Sequence, residues 1–498
     1  METKRIGHDN PSSFPAVSDG VSPALEQESG LVYWMDRSIR ELERAHHEFG
    51  PDAVHDLRVA LRRCTSIADV YSVFDPHPSW RELKKQGKEL FKKLGNLRDN
   101  QVMVTWIARL AGEQDPVAVA LKNYLNEKEA PLRERARQAI RDFNHRKWAG
   151  WIERLSRRAR QIPTEDLIFF HVALERWHEA FALHRQALRN RSQISLHRLR
   201  IGLKRFRYTV ENLLPQRHEL WSQDLKAIQD LLGEIHDLDM LWRTLLAIGA
   251  LKEPEIRAAW RSRIHEERQS RMQAYRSRAI GKTSVWKASR AGLPVDDELN
   301  RAAEARIQAW ASFRDPDFAR TRRVAQLALQ LYDGLKGENL LFKADSPEAR
   351  AILHAAAIMR NVGLSVQRKK HQKAGSRLIS KMQFPMAYSA LSLRLAALVV
   401  RYQRGAFPRL NHKDFAFLKH DQVQMVVLIA AILRLANAFE LTYKGRIRRL
   451  EVKRTPESIV IFASGYVDND PVSRKLAAAR HPLEIACQAP VLIRSQEN

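Results

Sequence analysis

From Leu31 to about Ala279 apolar residues recur at helical spacing, and strand-like alternation is rare. Breaks at Gly50-Pro51, Asp75-Pro76-His77-Pro78, Gln114 to Pro116, Pro131, Pro163, Pro215 and Pro254 cut this stretch into successive helices. Gly281 to Asp297 carries Gly, Ser, Thr and Pro and reads as a linker. A second helical block runs from Glu298 to about Glu440. After Gly445 the pattern changes. Arg449 to Lys453 and Ser458 to Ala463 read as two short strands around Thr455-Pro456-Glu457, and Pro490 to Ile493 as a third. Residues 1–30 are rich in Pro, Ser, Glu and Asp and read as a flexible tail without the apolar core of a signal peptide. The longest apolar run, Met425 to Leu433, is too short to span a bilayer. The expectation is a mainly α, soluble, cytoplasmic chain with a small β hairpin or sheet at its end and no membrane contact.

Superimposed on this pattern is an internal repeat. His55-Asp56-Leu57-Arg58-Val59-Ala60-Leu61-Arg62-Arg63 matches His197-Arg198-Leu199-Arg200-Ile201-Gly202-Leu203-Lys204-Arg205. Further on, Leu94-Gly95-Asn96-Leu97-Arg98-Asp99 matches Leu232-Gly233-Glu234-Ile235-His236-Asp237. The offsets are 142 residues from His55 to His197 and 138 from Gly95 to Gly233. Two motifs in the same order at nearly the same offset imply a duplicated helical domain.

On a helix, His55, Arg58, Arg62 and Arg63 share one face, and so do His197, Arg200, Lys204 and Arg205, with Tyr208 one turn beyond. Arg207 lies nearer the flank. Lys84, Lys88 and Lys92 add a third basic row at i, i+4, i+8, with Lys85 beside it. Like charges at i and i+4 cost roughly 0.2–0.5 kcal/mol per pair. A charge run is ordinarily a solvated face, but its recurrence at the matching place in both halves points to an anion. The whole chain agrees: 84 Lys and Arg against 57 Asp and Glu give a formal net charge of +27 over 498 residues. Its partner should be a polyanion or an anionic surface. Two distant cysteines, Cys64 and Cys487, supply neither a zinc site nor a disulfide framework.

These motifs resemble the CHAD domain, the conserved histidine α-helical domain, over about residues 31–293, with repeats of about 31–160 and 161–293. The resemblance implies two four-helix bundles around a basic cavity that binds inorganic polyphosphate. Carried over position by position, the ligands are His55, Arg58, Arg62, Arg63, Lys88, Lys92, Arg98, His197, Arg200, Lys204, Arg205 and Arg207, with Tyr208, Lys84 and Lys226 as further candidates. The second half departs at His236, where the first has Arg98, and its Lys226 helix is less basic. Polyphosphate is a dense line of charge without bases, and these faces carry few aromatics of the kind that stack nucleobases.

Residues 297–498 resemble the C-terminal helical domain of exopolyphosphatases and guanosine pentaphosphate phosphatases, an HD-like fold. The match runs through Arg322 to Leu335, Leu353 to Val366, the His371 block, Val400 to Pro408 and Leu428 to Glu440. An active HD site holds a divalent metal with His and Asp ligands. Here the expected His-Asp pair reads Arg360-Asn361; Gln403 stands where His is frequent, and Asn437 where Asp is frequent. No unassigned stretch is long enough for that family's actin-like catalytic domains. The expectation is therefore a non-enzyme, with no catalytic residue, metal or cofactor. Arg360, Arg368, Lys369, Lys370, His371, Lys373 and Arg377 form a second basic cluster, read as a second polyanion contact or a solvated loop. The leading reading is polyphosphate binding, with tethering to polyphosphate granules and their proteins or regulation of polyphosphate metabolism as its setting. RNA binding is the first alternative and phosphohydrolysis the second.

Overall fold

The computed structural model describes residues 30–341, 346, 348–408, 412–467 and 474–495. The tail expected at 1–30 lies outside them except for Gly30. The chain is 75% helical, with a three-stranded sheet near its C-terminal end.

The first half-domain comprises α1 (Gly30–His47), α2 (Pro51–Tyr71), α3 (Pro78–Leu110), α4 (Pro116–Arg141) and α5 (His145–Ala159). The second comprises α6 (Leu167–Asn190), α7 (Gln193–Leu213), α8 (Pro215–Ala247), α9 (Pro254–Ala279) and α10 (Val285–Ala291). Counterparts agree in length: α2 and α7 have 21 residues each, α3 and α8 have 33, and α4 and α9 have 26. The duplication read from two short motifs therefore extends through whole helices. Each half is four long helices plus a shorter fifth. Prolines at the first turns of α2, α3, α4, α8 and α9 fit because their missing N–H has no partner there in any case.

Two expected breaks are not breaks. Helix α4 continues through Pro131, whose side is exposed. The stretch read as a linker contains α10, because Val285 and Trp286 are buried. Trp286 packs on the rings of Trp177, Phe181 and His184. Trp148 and Trp151 are buried in the core of the first half-domain.

The halves meet counterpart to counterpart: α2 packs on α7, and α3 on α8. Apolar positions such as Leu57, Leu61, Leu199, Leu203 and Phe206 face the core, which leaves the basic positions at the junction of the halves.

The C-terminal unit contains α11 (Asp296–Ser312), α12 (Phe318–Gly337), α13 (Ala349–Ile358), α14 (His371–Ser380), α15 (Ala390–Tyr402) and α16 (His420–Tyr443). A 3-10 turn, Val362–Ser365, precedes α14. Helix α16 is apolar enough to cross a membrane, but 67% of its most apolar window is buried. It packs against α12, α13, α15 and α17 (Arg474–Cys487), so it is the central core helix. Strands β1 (Leu450–Arg454) and β2 (Ile459–Ala463) pair antiparallel, as the sequence suggested. After α17, β3 (Val491–Ser495) joins β2 in parallel.

Candidate anion-binding site

Where α2, α3, α7 and α8 meet, the repeat positions come together. Arg58 and Arg62 descend from α2, Arg200 and Lys204 from α7. Arg58 donates to the Phe91 carbonyl at 3.1 Å and lies 4.3 Å over the Phe91 ring. Gly95 explains how it fits: a Cβ there would sit 2.9 Å from Arg58 Nη1. Its counterpart Gly233 faces Arg200 more loosely, at 3.9 Å from Nε. Gly95 thus makes room for Arg58, whereas a Cβ at Gly233 would meet Arg200 at ordinary contact distance.

Electrostatics show how close these groups are. Burial lowers the Arg58 guanidinium to about 10, with Arg62 and Arg98 adding to the shift and Asp99 opposing it. Lys204 falls to about 7, first through burial and then through Arg200 and Arg62, against the attraction of Asp237. Burial raises Asp99, opposed by Arg58, Arg200 and Lys204. Asp237 rises to about 6 by burial, with Arg200 opposing and Asp99 adding. Counterparts therefore lie within electrostatic reach of one another across the α2–α7 and α3–α8 contacts: Arg62 of Lys204, and Asp99 of Asp237.

Four cationic heads share this region with two carboxylates. Among the described residues none of the four forms an ion pair. Arg62 Nε and Arg200 Nε are buried without a hydrogen-bond partner in the protein. Buried N–H donors are normally satisfied, so these two are exceptions, as are the Nε atoms of Arg63, Arg207 and Arg360. Asp99 and Asp237, although they end the second motif in both halves, were not among the expected site residues.

His197 lies at one edge, its ring 5.0 Å from that of His236. Burial and the charge of Arg200 lower both, His236 to about 4, so both rings are neutral at pH 7. The other edge carries exposed His55 and Arg98, the latter close enough to Arg58 and Asp99 to influence both. The halves therefore differ in charge where the sequence departs.

Other expected ligands are placed otherwise. Arg63 is 8% exposed and ion-paired with Glu211, so it is part of the core. Glu211 also draws Arg207 Nε and His218 Nε2, each at 3.7 Å. Tyr208 is buried beneath Arg62 and Arg63, whose guanidinium carbons lie 5.0 and 5.5 Å from its ring. Lys84 is ion-paired with Asp69, which also takes Arg176 at 3.0 Å. Arg205 pairs with Glu179 at 3.1 Å. Lys88, Lys92 and Lys226 are exposed along α3 and α8. Burial and nearby Lys84 depress Lys88, against the attraction of Asp69.

In the C-terminal unit Arg360 is not part of a surface cluster. It is 2% exposed, and its guanidinium donates to Asn437 Oδ1 and, at 3.3 Å, to Thr321 Oγ1. Gln403 caps its carbonyl at 2.5 Å. The positions compared with metal ligands in the sequence thus do converge, but around a guanidinium. Among the described residues no group of three or more His, Cys, Asp or Glu is arranged to hold a metal ion. His371 is also buried, unlike the exposed Arg368, Lys369, Lys370, Lys373 and Arg377.

Comparison with known families agrees with this division. Residues 36–246 match the CHAD domain model, and residues 305–473 match domain III of the Ppx/GppA phosphatases. Together these domains point to a polyphosphate-related function. Among solved structures, the crystal structure of the CHAD domain from the plant Ricinus communis is similar at 20% identity, covering 53% of this chain and 90% of that one with a TM-score of 0.38. Curated proteins give no match.

Proposed function

We propose that this chain, a CHAD domain joined to a Ppx/GppA phosphatase domain III, binds inorganic polyphosphate without hydrolysing it. The observation that carries this is the cluster Arg58, Arg62, Arg200 and Lys204, in which cations outnumber carboxylates and buried donors lack acceptors in the protein. A run of phosphoryl groups supplies many acceptor oxygens at close spacing, and arginine forks bind them with charge-assisted hydrogen bonds. Lys88, Lys92, Arg98 and His55 extend the basic surface outward for the rest of the polymer. The nearest aromatic faces, Phe91 and Tyr208, are already covered by guanidinium groups, which leaves no platform for a base. Arg360, where an active HD site would carry a metal-ligating histidine, supports binding rather than hydrolysis, because a guanidinium cannot ligate a cation.

Calorimetry with long-chain polyphosphate across a salt series tests this. Wild type should bind in a salt-sensitive way that RNA does not abolish, with no phosphate release. The variant Arg58→Ala/Arg62→Ala/Arg200→Ala/Lys204→Ala should remain folded and lose at least a hundredfold in affinity, or roughly 0.7 kcal/mol per contact removed. Unchanged binding in that variant would remove the cluster from the site. Stronger RNA competition than polyphosphate binding would assign the surface to nucleic acid. Phosphate release at a catalytic rate would overturn the non-enzymatic reading.

A further inference from the structure

A second concave basic surface lies in the C-terminal unit, built from segments scattered in sequence. It encloses about 460 Å³ and is lined by Lys370, Lys373, Arg401, Arg404, His412 and Lys413, with Asp414 as the carboxylate among its lining residues. That volume falls in the usual range for small-ligand pockets, roughly 300–1,000 Å³. The single acid is already engaged: Asp414 accepts from Arg401 Nε at 3.1 Å and from the Tyr402 hydroxyl at 2.8 Å. Lys370, Lys373, Arg404 and Lys413 form no ion pair among the described residues.

The walls are fixed from behind. Arg434 on the core helix α16 donates to the carbonyls of Tyr402 at 2.8 Å, Gly405 at 3.0 Å and Ala406 at 2.9 Å. Three carbonyls of the 402–406 loop thereby turn toward Arg434, and the loop is held in one shape. Gly405 adopts φ +80°, a conformation that favours glycine. On the opposite wall, α14 begins at the pocket, where its first turn has no acidic residue and no side-chain cap. The positive end of a helix dipole favours an anion at that position. The turn before α14 fits tightly against it, since a Cβ on Gly363 would fall 1.9 Å from the His371 carbonyl oxygen.

We propose that this pocket is a second phosphate site, separate from the cluster at the junction of the half-domains, and that it takes a short condensed phosphate or the end of a phosphate chain. Size and charge select a compact, highly charged anion. The tyrosine selects against a nucleotide: Tyr402 is buried and stacked on His412, with ring centroids 5.5 Å apart and planes 8° from parallel, so its ring is not offered to a base. Five Lys and Arg side chains against one engaged carboxylate match the three or more negative charges of a pyro- or triphosphate.

The test uses tripolyphosphate, with pyrophosphate and ATP as comparison ligands, and begins from the full-length variant lacking Arg58, Arg62, Arg200 and Lys204. In that background calorimetry should still show one equivalent of tripolyphosphate bound. Adding Arg404→Ala and Lys413→Ala should lower that affinity at least tenfold. An equal charge change at exposed Arg448 and Arg449, both to Ala, should leave it within twofold. Thermal melts accompany each variant, and Arg404→Lys should retain more binding than Arg404→Ala if the fold is intact. Absence of tripolyphosphate binding in the starting variant would sink this pocket while leaving the first cluster untouched. Equal losses in the two double variants would reduce the pocket to net charge. ATP binding tenfold tighter than tripolyphosphate would overturn the choice of an inorganic ligand. These outcomes are independent of long-chain binding by the wild type, so the two sites fail separately.

Discussion

Arg62 and Arg360 are both largely buried, burial lowers the pKa of both, and each keeps a buried Nε without a protein acceptor, yet the rest of the guanidinium is treated differently. Arg360 sits among acceptors from two other helices: Asn437 and Thr321 take its guanidinium protons. Arg62 has further cations as neighbours, a tyrosine face, and a buried Nε with no protein acceptor. Burial of a charge is therefore not a sign of a ligand site. The difference is whether the guanidinium finds any acceptor in the fold: Arg63 and Arg360 do at a terminal nitrogen, although each keeps an orphaned Nε, and Arg62 does not. Where it does, as at Arg360, the cation is structural; where it does not, the proposed polyanion is what would offset the cost of burial.

That contrast is breakable at each end. Arg360→Ala should have the largest effect, a loss of about 2–4 kcal/mol in chemical unfolding, because it leaves a cavity and strands Asn437 and Thr321. Its polyphosphate affinity should not change. Lys204→Met should do the reverse and weaken binding without loss of stability. If Lys204→Met unfolds the protein as Arg360→Ala does, the distinction between the two kinds of buried cation fails.

A pH titration sharpens the comparison at the next level. Lys204 is held at about 7 in the free protein, and a bound polyanion restores its proton. Affinity should therefore fall by about tenfold between pH 6 and pH 8, with proton uptake on binding measurable in buffers of different ionisation enthalpy. Asp237, raised to about 6, works in the same direction below that pH, since its protonation removes a repulsive charge. Stability of the ligand-free protein should move oppositely. A lysine depressed below its unfolded value leaves the unfolded state more protonated from about pH 7 to 10, so this contribution to stability rises with pH. Lys204→Arg should flatten the affinity profile between pH 6 and 8; a profile unchanged in that variant would assign the titration elsewhere.

The smallest effect compares the halves. Gly95→Ala should push Arg58 off its position at roughly 0.5–1.5 kcal/mol and weaken binding a few-fold. Gly233→Ala, with ordinary contact distance to Arg200, should leave affinity unchanged. Equal losses in both would show that the glycines act through the helix and not through the arginines.

Much of this was legible in the chain itself, and the exceptions share a cause. Repeats and helical faces are local in sequence, so the duplicated bundle and its basic faces could be read directly. The pairing of Arg63 with Glu211 spans 148 residues and leaves no local trace. For that reason Arg63 and Arg207 looked like ligands. Arg360 looked like one of a run of surface charges because only the fold brings Asn437 and Thr321 around it. The second pocket draws on a helix start, a helix end, a loop and a 3-10 turn, so Arg401, Arg404 and Lys413 show no common period. Two acids could have been found: Asp99 and Asp237 end the repeated motif in both halves, which a search for cations alone passes over. Trp286 was the available warning that the supposed linker is packed.

The counterpart-to-counterpart meeting of the half-domains has one more consequence. Such a junction sets like against like, Arg62 near Lys204 and Asp99 near Asp237, so it offers similar groups to a ligand from either half. A nucleic acid strand has a chemical direction and could satisfy only one half in register. A linear phosphate chain reads the same from either end, so it can enter such a junction in two equivalent orientations. The difference between Arg98 and His236 then becomes the feature that would make one end of the cluster more attractive to such a chain than the other.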